Sequence, residues 1–466
     1  MFGFLRLRIS RLILLLGLCE WLLLAASLSM AMHLRYFRDP DELAAFSRHL
    51  TLRSLIFATA IFLGMAALGI YRTHLRTGLL GLLARQAVAF VLGGVGLAIG
   101  YYFIPQSYVG RGVLGIALVS GFVAVAAFHV LFMRLVDIEA FKRRVMILGA
   151  GQRAAQIHNG MRRRSDRHSF SIVGYIRCQN EPVIVPDHLV LCPNMPLHTL
   201  VKHEKIDEIV VGVDDRRGAL PMAELLECRQ SGTTITDLTT FFERESGRLQ
   251  LSLLDPSWLV FSHGFNATPL HLLGKRCFDL VAATLILLLC WPLMLLTALA
   301  IRLESGPGQP ILYRQERVGE HNKTFWLLKF RSMRTDAECD GAARWASKDD
   351  DRVTRVGRIC RKLRFDELPQ LWNVFKGEMS IVGPRPERPQ FVADLTTRIR
   401  YYGLRHSLKP GLAGWAQLSY PYGASVEDAA EKLRYDLFYV KNHNLLLDMV
   451  ILIETVEVVL FGRGAR

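Results

Sequence analysis

Four apolar stretches open the chain, at residues 12–32, 54–71, 86–104 and 112–133, each close to the ~20 residues with which a helix crosses ~30 Å of hydrocarbon. The pattern predicts a four-helix transmembrane bundle over residues 1–140. Arg6, Arg8 and Arg11 precede the first stretch as in a signal peptide, but its apolar core is too long for one and three further stretches follow. From residue 144 the pattern changes to short apolar runs, 145–148, 171–176, 183–185 and 208–213, separated by polar helical segments. Strands alternating with helices predict an α/β domain with a largely parallel sheet over residues 141–268. Residues 280–301 then carry no charge and are long enough to span, but Pro292 at their centre removes a backbone hydrogen bond and clashes with the preceding turn. Four spans return the α/β domain to the side of the N-terminus, and a fifth would put the rest of the chain on the opposite face. A bent, re-entrant membrane hairpin over residues 269–304 keeps both on one side. Residues 313–319 and 325–333 read as two strands joined by a polar turn, opening a small mixed α/β domain over residues 305–466. The fold class expected is therefore a membrane protein, α plus α/β.

Composition agrees: 51% of the residues are hydrophobic and 21% charged, too apolar for disorder and unusual for a purely soluble enzyme. The length of 466 residues excludes a small disulfide scaffold, and eight cysteines scattered without a CxxC pair indicate reduced thiols rather than disulfides or a zinc site. With 57 Lys and Arg against 42 Asp and Glu, the formal charge of +15 suits nucleic acid, an anionic membrane surface or phosphorylated substrates, and composition alone does not choose. Basic residues near span ends tend to stay cytoplasmic. Arg6, Arg8, Arg11, Arg72, Arg76, Arg85, Lys142, Arg143 and Arg144 favour an inside N-terminus, whereas Arg35, Arg38, Arg48 and Arg53 oppose it. Glu20, inside the first stretch, is costly in lipid and faces either a functional site or its helix neighbours.

The first strand of the α/β domain runs into Gly149-Ala150-Gly151-Gln152-Arg153-Ala154, which approximates the turn where glycines let backbone amides approach a pyrophosphate. The next strand ends at Ile176-Arg177-Cys178, where a nicotinamide-binding domain usually offers an acid to the ribose. A structural or sensing domain is the expectation, with bound dinucleotide the lesser alternative.

Chemistry concentrates after residue 305. Arg352, Arg355, Arg358 and Arg361 recur every third residue along one predicted helical face, with Lys362 and Arg364 beside them. A charge run is usually a solvated face, but anionic headgroups or substrate phosphates would relieve the repulsion of a one-sign stripe. Asp366-Glu367-Leu368-Pro369-Gln370-Leu371-Trp372-Asn373 follows. Adjacent carboxylates on a helix diverge by about 100°, so they cannot share a proton; one can attack while the other holds a hard divalent cation such as Mg²⁺. An isolated Asp-Glu pair more often caps a helix. Here it is followed by Gly377-Glu378-Met379-Ser380-Ile381-Val382-Gly383-Pro384-Arg385-Pro386 and by Lys409-Pro410-Gly411-Leu412-Ala413-Gly414-Trp415-Ala416-Gln417.

With these long, co-linear motifs the chain from Lys275 onward resembles the monotopic phosphoglycosyl transferases, the bacterial sugar transferases of exopolysaccharide biosynthesis, and its front end resembles their large multi-pass subgroup with a Rossmann-like domain. The resemblance implies transfer of a sugar-1-phosphate from a nucleoside-diphosphate sugar, a UDP-sugar, to polyprenyl (undecaprenyl) phosphate with Mg²⁺, at the cytoplasmic face of a bacterial inner membrane, initiating surface glycan synthesis. It implies Asp366 as nucleophile, Glu367 as the metal-associated acid, and Lys329, Arg331, Arg361 and Arg385 as phosphate-binding cations. Pro292 is implied as the kink of the membrane hairpin, preceded here by Trp291 in place of a small polar residue; Arg364 and Phe365 stand where Ser and Leu are frequent. Membrane lipids are expected partners, nucleic acid is not, and a homo-oligomer is compatible with the resemblance. Two rival readings stand beside this one. A membrane-tethered nucleotide-sugar dehydratase or epimerase needs a working dinucleotide site and a Tyr-x-x-x-Lys pair, which the chain lacks. A non-catalytic sensor or scaffold leaves Asp366, Glu367 and their cations without a purpose.

Overall fold

The computed structural model describes residues 11–461 apart from 48, 72–78, 104–107, 136–141, 162–166, 168, 179–180, 193–194, 216–219, 255, 262–263, 266–267, 307, 336–351, 421–422 and 424. Arg6, Arg8, Arg48, Arg72 and Arg76 of the orientation argument lie outside the described residues. The chain divides into two compact units, Met1–Phe241 and Phe242–Arg466, and the divide falls inside the segment 141–268.

In the first unit, helices α1 (Arg11–Arg35), α2 (Leu50–Ala67), α3 (Leu79–Phe103) and α4 (Arg111–Leu135) follow the four apolar stretches. By length and composition α1, α3 and α4 can cross a membrane, and α2 is a shorter apolar helix. Leu24, Leu28 and Met32 of α1 and Phe57, Ile61 and Met65 of α2 are buried, while Leu18, Leu22 and Leu63 point outward. Helices apolar on every face suit a hydrocarbon surround. Glu20 accepts a hydrogen bond from the Tyr71 hydroxyl (2.6 Å) and lies 2.7 Å from His129 Nδ1, so the acid faces its neighbours and is fully buried among them.

The same unit contains β1 (Arg143–Leu148), α5 (Gln152–Gly160), β2 (Phe170–Ile176), β3 (Val190–Leu191), β4 (Glu208–Val211) and β5 (Thr234–Asp237). The strands are parallel in the order β3-β2-β1-β4-β5, so the order reverses between β1 and β4. One expected strand is absent. Residues 183–185 are irregular, because Pro182 and Pro186 flank them and deny ladder donors; instead the Ile184 amide donates to the Ala150 carbonyl (2.9 Å). The edge strand is Val190–Leu191, paired with Tyr175 and Ile176.

The second unit opens with residues 242–254, whose Leu249 and Leu254 are buried in a core with Leu395, Leu433 and Leu437. Trp415 Nε1 donates to the Gly247 carbonyl (2.7 Å). Helix α6 (Pro269–Ser305) follows, capped by the Thr268 hydroxyl. The helix is unbroken through Pro292, since proline removes a single backbone donor and the ladder resumes on either side. Ala282 and Ala283 of α6 are buried against Phe325, Leu371, Val374 and Tyr439, whereas Leu285, Leu288, Leu289, Leu295 and Leu296 are exposed. At its far end Glu304 accepts from the Arg355 amide (2.8 Å), so both ends of α6 are tied to this unit.

Strands β6 (Leu312–Val318) and β7 (Thr324–Phe330) form the expected antiparallel hairpin, with Tyr313 opposite Lys329. Helix α7 (Arg355–Lys362) starts after Thr354, whose hydroxyl accepts from the Gly357 amide (2.9 Å). Arg352 therefore stands before the helix rather than on its stripe. A 3₁₀ turn (Phe365–Gln370) leads into α8 (Leu371–Lys376), and β8 (Ser380–Val382) pairs in parallel with β9 (Gly411–Ala413). Helices α9 (Val426–Asn442) and α10 (Leu445–Phe461) complete the unit.

Candidate active site

Three local devices bring the motif residues together. Gly357 sits so close to the segment that follows β7 that a Cβ there would overlap the Ser332 carbonyl, which fixes the start of α7 against that segment. Arg364 then adopts a left-handed conformation (φ 60°), turning the chain from α7 into the 3₁₀ turn that carries Asp366 and Glu367. Asn373, fully buried on α8, donates to the Trp326 carbonyl (2.8 Å) and to Glu378 Oε2 (2.6 Å) and accepts from the Leu328 amide (3.1 Å). The acid-bearing turn is thereby locked to β7, the strand that delivers Lys329.

Glu367 Oε1 gathers three cations: Arg385 Nη2 at 2.8 Å, Arg364 Nη1 at 3.4 Å and Lys329 Nζ at 3.8 Å. Oε2 takes part in none of these contacts. Burial alone would raise the Glu367 carboxyl, but Arg385, Lys329 and Arg364 outweigh it and hold the group well below the usual carboxylate range. Burial pulls Lys329 down to about 8 against the attraction of Glu367. Asp366 differs from its neighbour. Burial pushes its carboxyl up, the charge of Glu367 adds to this, and its Oδ1 is buried with no hydrogen-bond partner.

The other expected cations are placed differently. Arg331 is buried and donates to Gln309 Oε1 (3.2 Å). Arg361, half-buried in the last turn of α7, makes no ion pair among the described residues. Arg364, read from sequence only as a departure from the family pattern, is the arginine of that segment that reaches Glu367. Arg317 was also missed. It donates to the Pro386 carbonyl (3.0 Å) beside Arg385, and burial lowers it to about 10, so it stays charged at neutral pH. Its only signal in the sequence is a place at the end of a strand rich in charge. Pro292 lies on α6 with exposed Trp291 beside it.

Among the described residues no three His, Cys, Asp or Glu side chains converge as a metal cage. A Mg²⁺ ion needs only one or two carboxylates when phosphates and water complete its octahedron. Oε2 of Glu367, outside the three cation contacts, fits such an ion.

In the α/β sheet the glycine turn is already filled. Asp214 accepts from the Gln152 and Arg153 amides (2.8 and 2.7 Å), and Glu181 accepts from the Ala150 amide (2.9 Å). A Cβ on Gly151 would overlap the Asp214 carboxylate. These are the amides that a pyrophosphate would need.

The family described as bacterial sugar transferase matches residues 270–462. Over 186 residues the chain is 44% identical to a UDP-glucose:undecaprenyl-phosphate glucose-1-phosphate transferase of Caulobacter vibrioides, covering 40% of this chain and 68% of that protein. The chain belongs to the bacterial sugar transferase family. It is also 41% identical over 242 residues to a UDP-N-acetylgalactosamine-undecaprenyl-phosphate N-acetylgalactosaminephosphotransferase of Aeromonas hydrophila, covering 52% of this chain and 56% of that relative. An undecaprenyl-phosphate glucose phosphotransferase of Komagataeibacter xylinus is 34% identical over 330 residues, 69% of this chain and 60% of that protein. The chain thus spans somewhat over half the length of these last two relatives. The sugar transferase match contains Pro292, Lys329, Arg331, Arg361, Asp366, Glu367 and Arg385, and excludes the filled glycine turn.

Proposed function

We propose that this protein transfers a sugar-1-phosphate from a nucleoside-diphosphate sugar, a UDP-sugar, to undecaprenyl phosphate, and so begins the assembly of an exopolysaccharide or other surface glycan. The observation that carries the reading is the contrast between Asp366, with a buried and partnerless carboxylate oxygen, and Glu367, whose oxygen gathers three cations one residue away. A nucleophile is thereby set beside a place for phosphate.

In the first displacement an Asp366 oxygen attacks the phosphorus that carries the sugar through its anomeric oxygen. The bond from that phosphorus to the oxygen bridging the two phosphates breaks, and nucleoside monophosphate leaves with the electron pair. In the second, a phosphate oxygen of undecaprenyl phosphate attacks the same phosphorus and the Asp366 carboxylate is released. Splitting the transfer lets a water-soluble donor and a lipid acceptor bind in turn. Arg385, Arg364 and Lys329 offset the charge that builds on the phosphates, in a buried setting where such contacts are strong. Glu367 would hold Mg²⁺ together with the diphosphate, and that ion would supply further neutralisation of the leaving group.

The exposed apolar length of α6, with both ends tied to one unit, supports a helix that enters and leaves a bilayer by the same face. We assign that face to the cytoplasm of the bacterial inner membrane, where nucleoside-diphosphate sugars are made. The Rossmann-like sheet is assigned an accessory role, and its filled glycine turn weighs against the dehydratase or epimerase alternative.

The test is the intact mass of the protein after mixing with donor sugars and Mg²⁺ in the absence of lipid acceptor. Wild type should gain the mass of a sugar phosphate and Asp366→Asn should not. An adduct that persists in the variant, or full transfer activity in it, would remove Asp366 from the reaction.

A further inference from the structure

The turn that carries Arg385 is gripped carbonyl by carbonyl. The Val382 carbonyl accepts from Lys275 Nζ (3.3 Å) and from the Tyr439 hydroxyl (3.0 Å), the Arg385 carbonyl from Arg405 Nη2 (2.9 Å), and the Pro386 carbonyl from Arg317 Nη1 (3.0 Å). Arg317 reaches the turn from β6, and Arg405 from the segment that follows residue 401. The grip on Val382 comes out of a buried cluster that the chemistry above does not use. Lys275 Nζ lies 3.0 Å from Asp279 Oδ1 and 2.9 Å from Asp448 Oδ2. The Tyr439 hydroxyl is also within reach of Asp448 Oδ1 (2.7 Å), so its one proton is shared between that carboxylate and the Val382 carbonyl, while Asp279 Oδ1 accepts from the Ser380 hydroxyl (2.9 Å) and the Ile381 amide (3.1 Å). Asp279, Asp448 and Tyr439 are each at most 3% exposed.

Burying two carboxylates and an ammonium is expensive, and apolar packing of the same volume would commonly be as stable or more so. What the cluster adds is direction. Lys275 and Asp279 stand at the head of α6, Tyr439 on α9 and Asp448 on α10, and all converge on β8, three residues before Arg385. Arg385 in turn makes the shortest of the three contacts to Glu367.

We propose that Lys275, Asp279, Tyr439 and Asp448 are positioning residues of the transferase site, which hold the Val382 carbonyl so that Arg385 stays on Glu367 and which couple the apolar helix α6 to that grip. The inference rests on the transferase reading for its kinetic part. Its structural part stands without it.

The experiment uses the full chain in lipid nanoparticles, with Tyr439→Phe, which keeps the ring and removes the hydroxyl, and Asp448→Asn, which keeps the shape and removes the charge. Two readouts are taken together: transfer kinetics with a panel of UDP-sugars and undecaprenyl phosphate, and backbone hydrogen exchange by mass. Each variant is expected to lower kcat by about tenfold or more with donor KM within about twofold. Exchange should rise in the peptide covering residues 380–387 while peptides over α7 and α8 keep wild-type protection. Wild-type kcat in both variants, or a uniform rise of exchange across the second unit, would overturn the proposal and reduce the cluster to general stability. A wild-type protein inert with every sugar would instead count against the transferase reading, and the exchange pattern would still decide the positioning claim.

Discussion

Asp366 and Glu367 share a turn and a degree of burial, yet one carboxylate is surrounded by cations and the other has an oxygen with no partner. Glu367→Gln removes the one negative charge on which Arg385, Arg364 and Lys329 converge, so the three cations would repel one another and drift from the diphosphate. The expected loss is at least about tenfold in kcat, equivalent to about 1.4 kcal/mol of transition-state stabilisation, measured in the transfer assay with Mg²⁺ saturating. A pH–rate profile tests the same cluster. If Asp366 is the nucleophile it must be ionised to attack, and its pKa is raised by burial first and Glu367 second, so the rate should climb with pH above the range of an ordinary Asp. Lys329 must be protonated to counter phosphate charge, and burial lowers it to about 8, so the rate should fall as pH passes through that value. Lys329→Arg keeps its charge to far higher pH. If the alkaline limb in that variant stays near pH 8, Lys329 is not its source.

At the scale of elements, α6 is the part whose sequence and structure are hardest to reconcile. Its 37 residues would reach about 55 Å if straight, well beyond the ~30 Å hydrocarbon core. Lys275 and Asp279 near one end and Glu304 at the other bind the same unit, which a straight crossing of the membrane would pull apart. Single cysteines replacing exposed Leu270 and Lys323 in an otherwise cysteine-free chain should react with a membrane-impermeant thiol reagent from one face only. Labelling from opposite faces would show a true span. Pro292→Ala restores a backbone donor and favours a continuous straight helix, so a fraction of that variant should label from both sides and activity should fall accordingly. The elements that were legible from sequence are those whose signal is local: the apolar helices, the β6–β7 hairpin with its polar turn, and the acid-bearing motif. What was not legible depends on neighbours distant in the chain. Arg364 and Arg317 enter the site only because α7 is pinned at Ser332, just beyond β7, and β6 runs past the Arg385 turn. Residues 183–185 were misread because three β-branched residues outweighed the two prolines beside them.

For the whole molecule, the division at Phe241 and Phe242 recasts which part of the chain should suffice for chemistry. The family match begins at residue 270, and sequence reasoning alone would cut near Pro269. The segment before that cut is structural in the second unit. Leu249 and Leu254 fill its core beside Leu433 and Leu437, Glu243 pairs with Lys441 and accepts from Asn442 (2.7 Å), and Gly247 receives the Trp415 hydrogen bond. Removing the two leucines withdraws roughly 1.5–3 kcal/mol of burial for each, and the Glu243 carboxylate is lost from beside a buried lysine. Against a typical domain stability of about 5–15 kcal/mol this is a large fraction. A chain beginning at Phe242 should therefore fold in lipid nanoparticles and keep phosphoglycosyl transfer, because Lys329, Asp366, Glu367, Arg385 and the cluster under β8 all lie within it. A chain beginning at Pro269 should melt several degrees lower and lose activity on storage before it loses chemistry at first assay. Melting curves and initial rates on both truncated chains separate the possibilities. Equal melting temperatures would show that residues 242–268 add no stability, and a folded but inactive chain from Phe242 onward would mean that the first unit takes part in the reaction.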